Sequence, residues 1–141
     1  MKKVLVICTG NSCRSIMAEG LINHYLKDTW IAYSAGTHPT HPHPYALKAL
    51  QEIGIETDYL KSESISEYWH REDLDLIITV CNYASKRCPT FYKPVKQLHL
   101  SLPDPVNYQA EDLQGAMKGF REVRSAIVEQ LFPLLNKNDE S

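Results

Sequence analysis

The first fifteen residues combine a buried-strand pattern, a cysteine loop and the start of a helix. Residues 4–7 are an uninterrupted run of Val, Leu and Ile, which is typical of a strand buried on both faces of a sheet. The run leads directly into a polar segment that starts at Cys8 and ends at Arg14 and Ser15. Apolar side chains at helical spacing follow over residues 17–25. A strand, a tight polar loop and a helix in immediate succession predict an α/β unit, and no other feature constrains the fold as strongly.

Strand and helix patterns alternate along the rest of the chain. Pro44 is suited to the first position of a helix that ends before Gly54, and residues 113–135 carry the apolar face of a long final helix. Strands that alternate with helices favour a parallel sheet covered on both sides. The predicted fold class is therefore α/β, with a four-stranded parallel sheet flanked by helices on both faces. The four strand patterns lie at residues 4–7, 30–34, 74–80 and 95–100.

Composition and charge narrow the classes of function. The chain has 141 residues, of which 43% are hydrophobic and 23% charged, as expected for one globular domain at residues 1–135 with a polar tail at 136–141. A net charge of -2 gives no basic face for nucleic acid or anionic lipid, so neither is a predicted partner. Residues 4–7 are too short for a signal-peptide core, and no apolar run approaches the ~20 residues of a membrane helix. These features predict a cytoplasmic protein.

The four cysteines are Cys8, Cys13, Cys81 and Cys88. In a chain without an export signal they are expected to be reduced, because cytosolic disulfides are usually transient and catalytic or redox-sensing. A structural framework of two bridges and a zinc site of four cysteines are the alternatives. The intervals of four and six residues within the two pairs do not match the usual spacing of zinc ligands.

The segment from Cys8 to Ser15 contains the parts of an oxyanion site. Gly10 permits a tight turn in which backbone N–H groups face inward, and the following helix adds the positive end of its dipole. Arg14 supplies a planar fork for two oxyanion oxygens. The same positive field stabilises a Cys8 thiolate, to which the Ser15 hydroxyl can donate. We predict a nucleophile in a loop that binds a tetrahedral oxyanion, the alternative being a buried core cysteine. The predicted substrate-binding residues are Thr9, Gly10, Asn11, Ser12, Cys13 and Arg14.

Polar residues follow three of the predicted strands. Cys8 follows the first strand, Cys81 the third and Asp104 the fourth. Ligands of open α/β sheets bind beyond the carboxyl ends of the strands. We therefore expect these three side chains to converge at one rim of the sheet.

Three segments carry a resemblance to a known family, namely VICTGNSCRS at residues 6–15, MAEG at 17–20 and YSAG at 33–36. Together they resemble the low-molecular-weight protein tyrosine phosphatase superfamily, and the likeness extends over residues 1–135. The resemblance implies a four-stranded parallel sheet flanked by helices. It also implies that Cys8 is the nucleophile, that Arg14 binds the oxyanion and that Asp104 is the general acid.

Residues 79–89, TVCNYASKRCP, are similar to the redox segment of thioredoxin-coupled arsenate reductases within that superfamily. The resemblance implies an enzyme that converts arsenate, a phosphate-like oxyanion, to arsenite. Cys8 attacks arsenic, Cys81 forms a disulfide with Cys8, and Cys88 takes the disulfide over as Cys81–Cys88. Thioredoxin then reduces that bridge, with a glutathione or glutaredoxin system left open as the reductant. No tightly bound cofactor is implied, and weak phosphatase activity is expected from the shared loop.

Two other functions remain open. A phosphatase of this superfamily could use Cys13 to protect Cys8 by a disulfide, with no reductase activity. A non-catalytic oxyanion sensor is the second alternative, although Cys8, Arg14 and Asp104 are all present.

Metal binding is not predicted. His38, His41 and His43 alternate with prolines, which favours a solvated loop bordering the site over a metal cluster. In the arsenate reductase branch a potassium ion can lie behind the loop, and the position of one Asp ligand holds Glu63 here, so that ion is left open. The other ligand positions match Asn11, Glu19 and Ser34.

Overall fold

The structure, a computed structural model, describes residues 1–80, 95–103, 105 and 113–139. Within these residues the strands form one parallel sheet with the order β2-β1-β3-β4. The strands are β1 (Lys2–Cys8), β2 (Trp30–Gly36), β3 (Leu76–Thr79) and β4 (Lys96–His99). The predicted four-stranded parallel sheet is therefore confirmed, and each strand falls within or close to its predicted segment.

The central strand β1 pairs with β2 on one side and with β3 on the other. Its Val, Leu and Ile side chains at residues 4–7 have no solvent exposure, so both faces of the sheet are covered at this point. Burying a side chain of this size contributes roughly 1.5–3 kcal/mol. The continuous apolar run fixes β1 in the centre of the sheet, and Cys8 consequently emerges at its carboxyl end.

Helices follow the predicted alternation with the strands. They are α1 (Arg14–Tyr25), α2 (Pro44–Gln51), α3 (Leu113–Ala126) and α4 (Phe132–Asp139), with a 3-10 turn at Ile65–Glu67. In α2, Pro44 occupies the first turn and His43 Nδ1 accepts a hydrogen bond from Tyr45 N–H at 3.1 Å. Gly54 has a positive φ of 82° just after this helix, as a stop signal predicts. None of the helices in the described part of the chain has both the length and the apolar character required to cross a membrane.

The C-terminal helix differs from the prediction of one helix over residues 113–135. A π-helical turn at Ile127–Leu131 separates α3 from α4. Pro133 lies just beyond it, lacks an N–H, and its ring would clash with the carbonyl of Glu129 in a regular helix. The wider turn is the expected accommodation. The helix also continues to Asp139 through residues assigned to the polar tail, because the fully buried Leu135 anchors its last turns.

Candidate oxyanion site

Cys8 lies at the end of β1 with its sulfur against the first turn of α1. The residue is only 4% exposed, and Cys8 Sγ lies 2.8 Å from Ser15 Oγ. Ser15 is fully buried in the first turn of the helix that begins at Arg14. The hydroxyl and the positive end of the helix dipole therefore face the same sulfur atom.

The segment at residues 37–43 wraps the outside of the Cys8 loop. Four backbone hydrogen bonds join the two. They run from Thr37 N–H to Cys8 O at 3.4 Å, from His38 N–H to Thr9 O at 2.8 Å, from Thr40 N–H to Gly10 O at 3.0 Å and from His43 N–H to Ser12 O at 2.9 Å. In a trans peptide the N–H points opposite to the carbonyl, and the described chain has no cis bond. With the carbonyls of Thr9, Gly10 and Ser12 turned outward, the amides of the residues that follow each of them point toward the inner side of the loop. Inward-facing amides are what an anion nest requires.

Asn11 supports the loop with its side chain and also contributes a backbone amide to it. Its φ of +46° places it in the left-handed region, which asparagine tolerates better than most residues. The side chain is fully buried and both of its ends are bonded: Oδ1 accepts from Glu63 N–H and Nδ2 donates to Ser15 Oγ, each at 2.8 Å. Its carbonyl accepts from the Ser62 hydroxyl. Asn11 therefore fixes the orientation of the hydroxyl that contacts the Cys8 sulfur.

Gly36 allows the loop to approach the end of β2. It pairs with Cys8 across the sheet, and its N–H donates to Glu63 O at 2.8 Å. A Cβ at this position would lie 2.6 Å from Thr9 O and 2.9 Å from Asn11 N. Both of these are backbone atoms, so no side-chain rotation could relieve the contact.

Arg14 and Cys13 occupy the end of the loop. The Arg14 guanidinium is half-buried and donates from Nη1 to Leu102 O at 3.4 Å, which joins α1 to the segment after β4. Leu102 precedes Asp104 by two positions. Cys13 is half-buried and in no disulfide, and its Sγ lies 3.8 Å from Ser12 Oγ.

Two carboxyl groups lie behind the loop. Glu19 accepts a hydrogen bond from Ser34 Oγ, and Glu63 Oε1 accepts one from Tyr68 Oη at 3.1 Å. Burial, reinforced by the charge of Glu63 and opposed by the Ser34 hydrogen bond, raises the pKa of Glu19 from 4.5 to about 7.

The potassium ion that the resemblance brings into question stays an open prediction, and the contacts of two of its candidate ligands are as follows. Glu63, which stands where the family ligand is Asp, is bonded to Tyr68, and both polar ends of Asn11 have partners within the protein. Among the described side chains, the only buried polar atom without a hydrogen-bond partner is Trp30 Nε1, outside this layer. The same residues contain no group of three His, Cys, Asp or Glu that could hold a metal ion.

Cys81, Cys88 and Asp104 lie outside the described residues. The rim that they were predicted to share is nevertheless partly defined. Val80, the residue before Cys81, is fully buried and its N–H donates to Ile7 O at 2.9 Å, next to Cys8. Leu100, after β4, donates to Thr79 O at 2.8 Å. The carboxyl ends of β1, β3 and β4 therefore lie side by side.

The sequence did not indicate Ser62 or Tyr68 as residues of the site. Both act through hydrogen bonds to residues at or beside the loop, more than 50 positions away in the case of Ser62. No local motif marks such contacts, and the serine pair flanking Glu63 was the only available signal.

Comparison with known proteins identifies the family of the chain. Residues 3–140 match the family described as low molecular weight phosphotyrosine protein phosphatase. An arsenate reductase of Halalkalibacterium halodurans is 37% identical over 126 residues, which cover 89% of each chain. A solved arsenate reductase in the phosphate-binding state superposes with a TM-score of 0.80 at 29% identity, over 97% of this chain and 98% of that one.

A thioredoxin-dependent arsenate reductase of Corynebacterium glutamicum has a TM-score of 0.68 at 25% identity, over 97% of this chain and 63% of that chain. The oxyanion loop, the sheet order and these similarities agree with one another. The chain belongs to the low molecular weight phosphotyrosine protein phosphatase family.

Proposed function

We propose that this protein is an arsenate reductase that uses thioredoxin as its electron donor. The observation that carries the proposal is the Cys8 sulfur, held 2.8 Å from the Ser15 hydroxyl beneath a loop whose amides face inward. Arsenate has the shape and charge of phosphate, which this kind of loop binds. The similar proteins with the name arsenate reductase, and the thioredoxin-dependent one among the solved structures, favour reduction over hydrolysis.

In the first step the Cys8 thiolate attacks arsenic. An S–As bond forms and one As–O bond breaks, and the departing oxygen takes a proton that we assign to Asp104. The inward amides and the Arg14 guanidinium hold the remaining oxygens of the bound oxyanion. Their hydrogen bonds strengthen as charge develops in the transition state, which is how such donors lower a barrier.

In the second step the Cys81 thiolate attacks the Cys8 sulfur. A Cys8–Cys81 disulfide forms, the S–As bond breaks, and its electron pair reduces arsenic to arsenite. Cys88 then attacks Cys81, so that the disulfide becomes Cys81–Cys88 and Cys8 returns to the thiolate. A thioredoxin dithiol reduces the final bridge by the same exchange chemistry. Val80, which is bonded beside Cys8, leads directly into Cys81 and favours this order of attack.

A single-turnover experiment tests the proposal. The reduced protein is incubated with one equivalent of arsenate, alkylated, and mapped by mass spectrometry for blocked thiols. We expect arsenite to appear together with a Cys81–Cys88 bridge. The Cys13→Ser variant should give the same bridge at the same yield, whereas Cys88→Ser should accumulate Cys8–Cys81.

A phosphatase is the second candidate function, favoured by the description of the matched family and by the presence of Cys13, which is in no disulfide, in the loop. It predicts rapid hydrolysis of an aryl phosphate and a Cys8–Cys13 bridge after oxidation. Rapid hydrolysis without any new disulfide after arsenate treatment would falsify the reductase proposal.

A further inference from the structure

Tyr68 lies at the far end of a chain of hydrogen bonds that reaches the nucleophile. The links are Tyr68 Oη to Glu63 Oε1 at 3.1 Å, Glu63 N–H to Asn11 Oδ1 at 2.8 Å, Asn11 Nδ2 to Ser15 Oγ at 2.8 Å and Ser15 Oγ to Cys8 Sγ at 2.8 Å. Glu63 takes part in this series with two of its groups. Its carboxylate accepts the hydrogen bond from the Tyr68 hydroxyl, and its backbone N–H donates to Asn11 Oδ1.

The phenol is fixed in place by its surroundings. Tyr68 is 5% exposed, and its ring lies 5.8 Å from that of Tyr33, measured between centroids. The Arg71 guanidinium lies over both rings and forms an ion pair with Asp73 at 2.7 Å. Burial, followed by the charge of Glu63, raises the pKa of Tyr68, so the hydroxyl remains a donor at every pH where the protein works.

Glu63 joins the tyrosine to the support of the loop through two of its groups. The Tyr68 hydroxyl is the hydrogen-bond donor that the described residues offer to the Glu63 carboxylate. The Glu63 N–H in turn holds the Asn11 side chain, which orients the Ser15 hydroxyl at the Cys8 sulfur. Without the Tyr68 hydroxyl, the position of the Glu63 amide would be less defined. The hydroxyl that contacts the sulfur would then be held less firmly.

We propose that Tyr68 is a positioning residue for the Cys8 nucleophile, acting through Glu63 on the Asn11–Ser15 pair. The proposal rests on the role of Cys8 as nucleophile but not on arsenate as the substrate. The packing of the Tyr68 ring alone would not imply this positioning role.

The test is the Tyr68→Phe variant, which keeps the ring and removes only the hydroxyl. The rate at which iodoacetamide alkylates Cys8 is followed by peptide mass spectrometry from pH 5 to 9, with protection by inorganic phosphate measured in parallel. We expect alkylation at pH 7 to slow by about fivefold, the usual value of one hydrogen bond, and the pH profile to move upward. Tyr59→Phe is the matched control, since Tyr59 Oη accepts from Asn23 Nδ2 at 3.3 Å and has no link to the chain.

The Glu63→Gln and Glu63→Ala variants separate positioning from packing. The Gln amide oxygen can still accept from Tyr68, so alkylation in Glu63→Gln should stay within about twofold of the wild type. In Glu63→Ala the acceptor is gone, so Tyr68→Phe should change the rate by less than about twofold in this background. Equal slowing by Tyr68→Phe in the Glu63→Ala and wild-type backgrounds, or a Tyr68→Phe profile identical to that of Tyr59→Phe, would overturn the proposal. A fivefold fall in the Glu63→Gln variant alone would do the same, even if Tyr68→Phe did not fold. Loss of arsenate reduction with these alkylation effects intact would count against the proposed substrate only.

Discussion

Replacing Gly36 with alanine gives the most direct test of how the loop is built. The new Cβ would lie 2.6 Å from Thr9 O, 2.9 Å from Asn11 N and 3.0 Å from Asn11 Cβ. To reach an ordinary contact, the Thr9 carbonyl would have to move by about 0.8 Å. Because the contacts are with backbone atoms, the displacement passes into the loop that is proposed to hold the oxyanion.

Two consequences follow from a displacement of that size. A misplacement of about 1 Å near a reacting centre can reduce turnover by roughly 100-fold. Overpacking of a tight site also lowers the free energy of unfolding by about 1–3 kcal/mol. For Gly36→Ala we expect kcat/KM for arsenate to fall by about 100-fold, and Cys8 alkylation to lose its protection by phosphate. Steady-state kinetics and urea unfolding measure the two effects separately.

Gly20→Ala is the control for the Gly36 variant. Gly20 lies in α1, and an added Cβ would come within 2.8 Å of Leu50 Cδ1, the end of a side chain that can rotate. The gain of about 1 kcal/mol in helix propensity offsets part of that strain. This variant should keep near-normal kcat/KM. If Gly36→Ala also retained normal kinetics and phosphate protection, the close approach of β2 to the loop would have no functional role.

Two shorter predictions concern the sulfur and the carboxyl layer. Ser15→Ala removes the hydroxyl 2.8 Å from Cys8 Sγ, so alkylation of Cys8 at pH 7 should slow by about tenfold, as expected for a hydrogen bond to a charged group. An unchanged alkylation rate would contradict this role. Burial raises the pKa of Glu19 to about 7, so the folded state holds that proton more tightly than the unfolded one between pH 4.5 and 7. The free energy of unfolding should therefore fall as pH rises through this interval, by at most about 3 kcal/mol. Urea unfolding at several pH values should show that this free energy depends less on pH in Glu19→Gln than in the wild type.

The sheet and the loop could be predicted because their signals are local. Residues 4–7 place apolar side chains on both faces of the strand. Only a central strand of a sheet that is covered on both faces buries all of them. The Cys8 loop likewise carries its chemistry in consecutive residues, and the structure places Ser15 against the sulfur as the helix start predicted.

The support of the loop could not be predicted in the same way. Asn11 is held by the backbone of Glu63 and by the hydroxyl of Ser62, contacts that span 51 or 52 positions and leave no periodic pattern. The π-helical turn was missed for a different reason. The apolar side chains of residues 113–135 keep a helical spacing on both sides of Pro133, which predicts one continuous helix. Proline cannot fit a regular helix interior, and the structure meets that requirement with the π-helical turn.

The proposed oxyanion site does not require a basic surface, which a chain with a net charge of -2 does not have. Besides the Arg14 guanidinium, it would use oriented dipoles: loop carbonyls turn toward the amides of residues 37–43, and loop amides turn the other way. Such dipoles are fixed by folding and need no reorganisation when charge develops during reaction. The proposed role of Tyr68 adds a positional requirement to these dipoles, because the amide that holds Asn11 belongs to the residue whose carboxylate accepts from the Tyr68 hydroxyl.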